Sequence, residues 1–85
     1  MKNKLFIGNL GFGTDESQLR SAFETMGDLV SAVVVKDRST GQSRGFGFVE
    51  YRSPEDAERA MESLNGSMLD GRAIRVHEAN ERGAR

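Results

Sequence analysis

Hydrophobic and polar positions follow two spacings along the chain, and these spacings alternate in a regular order. Apolar residues recur every third or fourth position in 14–27 and 53–66, which is typical of helices that bury one face. Period-two alternation or β-branched runs, which are typical of strands, mark the segments 5–9, 29–36, 44–51 and 73–77. The predicted order is strand, helix, strand, strand, helix, strand.

The first predicted helix has clear boundary signals. Thr14 is suited to be its N-cap, Asp15 and Glu16 favour the first turn, and Gly27 ends it. Its apolar stripe consists of Leu19, Ala22, Phe23 and Met26.

The second predicted helix begins with Ser53 as cap and Pro54 at the first helical position, and it ends at Asn65 and Gly66. Its apolar stripe consists of Ala57, Ala60, Met61 and Leu64. We expect both stripes to belong to the core.

This order of elements predicts an α+β, ferredoxin-like βαββαβ fold. Right-handed crossovers place both helices on one face of a four-stranded antiparallel sheet, with strands one and three as central neighbours. Strands two and three are expected to form a hairpin across the turn-like segment 37–43, and Asp70-Gly71 is the turn before the last strand.

The residues of the predicted strand 44–51 indicate which of its faces packs against the core. Alternation puts Glu50 on the same face as Phe46 and Phe48, and an unpaired buried carboxylate costs several kcal/mol on a scale of roughly 2 to 7. We therefore expect both rings to face outward, with Gly45 and Gly47 on the inner face, where their missing side chains let a helix approach. In the alternative, the rings are core and Glu50 lies beyond the strand end.

Three aromatic rings are expected to meet on the helix-free face. Leu5 and Ile7 must face the helices, which places Phe6 beside Phe46 and Phe48. Such an open surface, flanked by Lys4, Arg44, Arg75 and His77, suits unpaired nucleic acid, because bases stack on rings and cations meet phosphates. The sequence does not decide which face of strand two packs against the core, because Val33, Val34 and Val35 are all apolar and either alternation fits.

Composition predicts a single domain over 1–85, with a core at about 4–80 and a flexible tail at 81–85. Hydrophobic content is 36%, and no apolar run approaches the roughly 18 residues of a membrane span. No signal-peptide core is present, and the chain has no cysteine, so we expect a cytoplasmic location. We also expect a monomer without membrane contact.

The net charge of −1 is unusual for a nucleic-acid-binding chain, but the charges are unevenly distributed. Seven of the thirteen acids lie in the two predicted helices: Asp15, Glu16, Glu24, Glu55, Asp56, Glu58 and Glu62. The rest of the chain contains six acidic and ten basic residues. If the helices cover one side of the sheet, the other side carries the positive potential.

Two motifs resemble those of the RNA recognition motif family. The segments 5–10 and 44–51 are similar to its two ribonucleoprotein motifs, and 44–51 fits the eight-position consensus throughout. The resemblance extends over about 4–80 and is strongest to stand-alone bacterial members and to the domains of glycine-rich RNA-binding proteins. It implies a single-stranded RNA partner, with single-stranded DNA a weaker one, and a role in post-transcriptional regulation or RNA chaperoning.

The resemblance also implies individual roles. Phe6 and Phe48 would stack on bases, Phe46 would pack against sugars, and Arg44 would contact phosphate. The remaining expected RNA-binding residues are Lys4, Lys36, Arg38, Arg75, His77 and Asn80.

Other functions find less support in the sequence. The glycines at 8, 11 and 13 lack the spacing of a dinucleotide or phosphate loop, and His77 is the only histidine, so we expect no cofactor and no metal. No catalytic nucleophile and base can be assembled, and we expect no enzyme. A protein-interaction module that uses the acidic helical face is the remaining alternative.

Overall fold

Two helices lie on one face of a four-stranded antiparallel sheet in the computed structural model, which describes residues 3–79. Within those residues, no helix is long and apolar enough to cross a membrane. The elements are β1 (Lys4–Gly8), α1 (Glu16–Phe23) followed by a 3₁₀ turn (Glu24–Met26), β2 (Leu29–Lys36), β3 (Ser43–Tyr51), α2 (Pro54–Leu64), β4 (Met68–Leu69), β5 (Arg72–Ala73) and β6 (Arg75–Glu78).

The sheet order is β2-β3-β1-β6, so β1 and β3 are central neighbours, as predicted. Phe6 lies opposite Phe48 on one side and opposite His77 on the other. β2 and β3 form the predicted hairpin, with irregular register near both ends of β2. The ferredoxin-like fold is confirmed.

The core lies between the sheet and the helices. Leu5 and Ile7 of β1 and Val49 and Tyr51 of β3 are fully buried, which confirms their inward assignment. The helices contribute the buried side chains Leu19, Phe23, Ala57 and Ala60. The Tyr51 hydroxyl donates to the carbonyl of Phe23 at 2.7 Å, and burial raises its pKa, so the phenol stays neutral.

The first helix begins one residue later than predicted. Asp15, not Thr14, is the N-cap: its carboxylate accepts from the Gln18 amide at 2.9 Å, and the Gln18 side chain accepts from the Asp15 amide. Thr14 is buried instead, and its hydroxyl donates to the carboxylate of Asp70 at 3.1 Å. Gly27 ends the helical segment at a φ of 154°, as predicted.

The prediction that Gly45 and Gly47 admit a helix is wrong. A Cβ at Gly47 would overlap the carbonyl oxygen of Val33 on the neighbouring strand, so the close approach is between strands. Gly45 has a φ of +87°, and a Cβ there would lie 3.6 Å from the carbonyl oxygen of Leu10. Gly47 is therefore required by the close packing of the two strands, whereas Gly45 is favoured by its positive φ, which L side chains rarely adopt.

Strand boundaries also differ from those predicted, by one residue in the first and third strands and by up to two residues in the last. The first strand ends at Gly8, because Asn9 has a φ of 61°. The last strand is 75–78 rather than 73–77, since Arg72 and Ala73 pair with Met68 and Leu69 in a separate small hairpin. That hairpin turns at Asp70-Gly71, as predicted.

Candidate nucleic-acid interface

Phe6, Phe46 and Phe48 form a contiguous aromatic patch on the helix-free face of the sheet. The ring centroid of Phe6 lies 5.6 Å from that of Phe46 and 5.8 Å from that of Phe48, and the Phe46 and Phe48 centroids are 6.2 Å apart. Each ring is half-buried. No helix covers the rings, so they are buried in part by one another. Part of each ring surface stays open to a ligand.

The aromatic patch extends toward β6 through His77. The His77 ring is exposed and nearly parallel to that of Phe6, with an interplanar angle of 21° and a centroid distance of 6.5 Å. Gly8 makes room for this arrangement, since a Cβ there would lie 3.0 Å from Cε2 of Phe6. The missing side chain lets the Phe6 ring lie over the strand.

Positive charge is concentrated at one end of the sheet. Arg44 is exposed at the beginning of β3, and Arg75 is exposed on β6 opposite Gly8. Lys36 is exposed and lies opposite Ser43, the residue before Arg44. These three cations form the basic end of the sheet.

Lys4 lies toward the opposite end. Its Nζ is 5.4 Å from the centroid of the Phe48 ring, a cation–π arrangement, and its strand partner is Glu50. The predicted cationic residues are therefore divided between the two ends of the patch rather than gathered at one point.

The loop between β2 and β3 presents Arg38 from a hydrogen-bonded turn. The carboxylate of Asp37 accepts from the backbone amides of Ser39 and Thr40 at 2.7 and 3.1 Å. These two amides hold the pKa of Asp37 below its usual value of 3.8. The turn keeps exposed Arg38 near the basic end.

The remaining predicted residue, Asn80, lies outside the described residues. The last described residue, Ala79, is buried, and its amide donates to the carbonyl of Lys4 at 2.9 Å. Ala79 therefore lies beside the start of β1.

The sequence pattern did not single out two apolar residues that are exposed in the structure. Val33 lies opposite Phe48 on β2 and is 44% exposed, which resolves the open facing of strand two, since Ala32 and Val34 are buried. Phe12, in the loop after β1, is 77% exposed. Its position between Gly11 and Gly13 was the available signal, because a large ring in a glycine loop has few neighbours.

The loop that carries Phe12 is held at both ends. The Leu10 amide donates to the carbonyl of Gly45 at 2.8 Å, and the guanidinium of Arg72 donates to the Asn9 side chain at 2.7 Å. Thr14 is held by its bond to Asp70. Phe12 is thus presented beside the start of β3, where a Cβ at Gly45 would lie 3.5 Å from its ring.

Within residues 3–79, no three histidine or acidic side chains are grouped so that they would hold a metal ion.

Comparison with protein families gives a match to the RNA recognition motif over residues 5–75. Two glycine-rich RNA-binding proteins of Arabidopsis thaliana mitochondria, numbers 4 and 2, are 48% and 51% identical over 82 residues. These alignments cover 96% of this chain but 60% and 52% of the relatives. The chain thus spans between half and three fifths of their length.

Solved structures give the same fold. The second RRM domain of the yeast poly(U)-binding protein superposes with a TM-score of 0.86 at 42% identity, covering 91% of this chain and 93% of that one. A Sxl-lethal protein/RNA complex superposes with a TM-score of 0.89 at 26% identity, covering 94% of this chain and 48% of that one.

Proposed function

The chain belongs to the RNA recognition motif family, and we propose that it binds single-stranded RNA on the open face of its sheet. The aromatic patch carries this proposal, because three rings on a helix-free surface suit unpaired bases. The two relatives that are 48% and 51% identical to it are named RNA-binding proteins, and a structural neighbour is a protein/RNA complex.

The rings have complementary roles in this proposal. Phe6 and Phe48 stack on successive bases, and Phe46 packs against the sugars between them. Phe6 and Phe48 lie opposite each other on neighbouring strands, with ring centroids 5.8 Å apart, so two successive splayed bases can each meet one ring. Stacking on each ring is worth roughly 1 to 3 kcal/mol.

Phosphates are bound mainly at the basic end, by Arg44, Arg75 and Lys36, with Arg38 reaching from the loop. Lys4 and His77 lie beside the rings on which the bases stack. Asn80 adds a further contact to RNA. Because these contacts replace counterions, binding weakens as salt rises.

Phe12 and Val33 enlarge the surface. Val33 adds an apolar contact beside Phe48, and Phe12 adds a further ring beside the start of β3, at the basic end. Because hydrogen bonds hold the loop, its backbone loses little conformational entropy when a base stacks on the exposed ring.

The wider role is binding rather than catalysis, by one domain acting as a monomer, in post-transcriptional regulation or RNA chaperoning. Single-stranded DNA is a weaker ligand. The proposed location is the cytoplasm, whereas related proteins bear mitochondrial or chloroplastic names. A protein partner on the helical face, where Glu55, Glu58 and Glu62 are exposed, stays a prediction.

The proposal is tested by NMR titration with a single-stranded oligoribonucleotide at low ionic strength. Amide signals of β1 and β3 should shift, and the double substitution Phe46→Ala with Phe48→Ala should weaken binding by roughly 1 to 3 kcal/mol per ring. Met68→Ala is a matched control, because Met68 is 67% exposed but lies outside the main sheet. Shifts confined to the helices, or loss of cooperative unfolding in the double variant, would contradict the proposal.

A further inference from the structure

Glu50 places a carboxylate on the same open face as the aromatic patch. It follows Phe48 by two residues on β3, lies opposite Lys4 on β1 and opposite Ser31 on β2, and is half-buried. These three residues form a polar row across the sheet at the end away from Arg44. Glu50 thus lies next to a ring that the proposed function assigns to base stacking.

A carboxylate in this place is unfavourable for phosphate and favourable for a donor. An ionised carboxylate only accepts hydrogen bonds, so it repels the RNA backbone and binds N–H groups. The cross-strand Lys4 moderates the repulsion, since its ammonium lies at the neighbouring Phe48 ring. The ligand groups that fit Glu50 are therefore the N–H donors on the edge of a base.

We infer that Glu50 selects guanine at the nucleotide stacked on Phe48, an inference that rests on the proposed RNA-binding function. Guanine presents its N1–H and its exocyclic N2 amino group side by side, and two neighbouring donors match the two oxygens of one carboxylate. The separation of about 7 Å between alternate residues of a strand lets the edge of a base on Phe48 reach Glu50.

The other bases fit this carboxylate less well. Uracil offers one N–H between two carbonyl oxygens, which the carboxylate repels. Adenine and cytosine each offer an amino group beside a ring nitrogen that only accepts. Glu50 therefore discriminates by base edge, while Phe48 holds any base by its face.

Three oligonucleotides separate edge recognition from stacking: U9, U4GU4 and U4AU4. With a single purine in a uridine tract, the oligonucleotide can bind in the register that places the purine on Phe48. The adenine oligonucleotide measures the gain in affinity that comes from a larger stacking surface alone. Wild-type protein should bind U4GU4 about tenfold more tightly than U4AU4, within the range for one bidentate base contact. Affinities are measured by fluorescence anisotropy at one fixed salt concentration.

The same measurements on Glu50→Ala and Glu50→Gln identify the residue responsible. Glu50→Ala should abolish the preference for U4GU4 over U4AU4 while leaving U9 binding equal or tighter, because a repelling charge is removed. Glu50→Gln should reduce the preference in part, since its amide oxygen still accepts one bond. Glu58→Ala on the exposed side of α2 removes the same charge away from the sheet and should leave the preference intact.

The outcomes are distinct. A guanine imino proton signal protected in the wild-type complex and lost with Glu50→Ala would support the assignment. Absence of a guanine preference in wild-type protein, or an unchanged preference in Glu50→Ala, would overturn it while leaving RNA binding intact. Failure of wild-type protein to bind any of the three oligonucleotides would overturn both this inference and the proposed function.

Discussion

Gly47 lies so close to Val33 on the neighbouring strand that a Cβ at position 47 would overlap the Val33 carbonyl oxygen. It would also lie 3.2 Å from the Cα of Val34. Because the obstructing atoms are backbone, β2 must move away before Gly47→Ala fits. We expect this substitution to reduce the free energy of unfolding by about 3 kcal/mol, at the upper end of the usual cost of overpacking.

Urea denaturation checks this prediction, with Gly13→Ala as control. A Cβ at Gly13 would meet no atom within 4 Å, so its stability should change little. Equal stability of the two variants would show that the strands accommodate the methyl group.

Gly8→Ala should affect binding rather than stability. The added Cβ meets the edge of the Phe6 ring at 3.0 Å, and a half-buried ring moves at low cost. We expect unfolding to change by less than about 1 kcal/mol. RNA binding should weaken by about 1 kcal/mol, a part of what one stacked base contributes. Calorimetric titration beside urea denaturation tests this, and a variant that binds as tightly as wild type would contradict it.

Arg44→Ala should weaken binding similarly for all sequences and flatten its dependence on salt. Arg44 is exposed at the basic end, where it would neutralise one phosphate, so the slope of log K against log salt should fall by about 0.7 for a single strand. Arg20→Ala removes an exposed cation of α1 as control. Equal slopes for Arg44→Ala and wild type would exclude the phosphate contact.

Phe12→Ala should weaken RNA binding by about 1 kcal/mol without lowering stability, because the ring is 77% exposed and supports little of the core. Phe12→Trp should retain or improve binding, since it keeps a stacking surface. The comparison is made by anisotropy against Met68→Ala. Equal losses in Phe12→Ala and Met68→Ala would indicate a nonspecific surface effect.

The turn at Asp37 should loosen only in acid. Amides of Ser39 and Thr40 stabilise the ionised carboxylate and lower its pKa, so this stabilisation is fully present above the usual value of 3.8. It is lost as pH falls through the lowered pKa of the folded state. An NMR pH titration should show the two amide signals moving together below pH 3.8, and a midpoint at or above that value would refute the prediction.

Local spacing was enough to predict the order of elements and the faces of the central strands. Glu50 could not be buried unpaired, and this local constraint oriented Phe46 and Phe48 before any contact was known. The apolar stripes of the helices, which include Leu19 and Ala57, could be predicted in the same way. The spacing of apolar residues within one element indicates which of its faces is buried.

Contacts between distant segments decided the rest. Thr14 was a plausible cap by sequence, yet it bonds to Asp70, a residue 56 positions away, and Asp15 caps the helix instead. The three consecutive valines of β2 carry no period, so pairing with β3 was needed to place Val33 on the open face. Periodicity reports which side of an element is apolar; it carries no information on which neighbouring backbone or polar group will lie there.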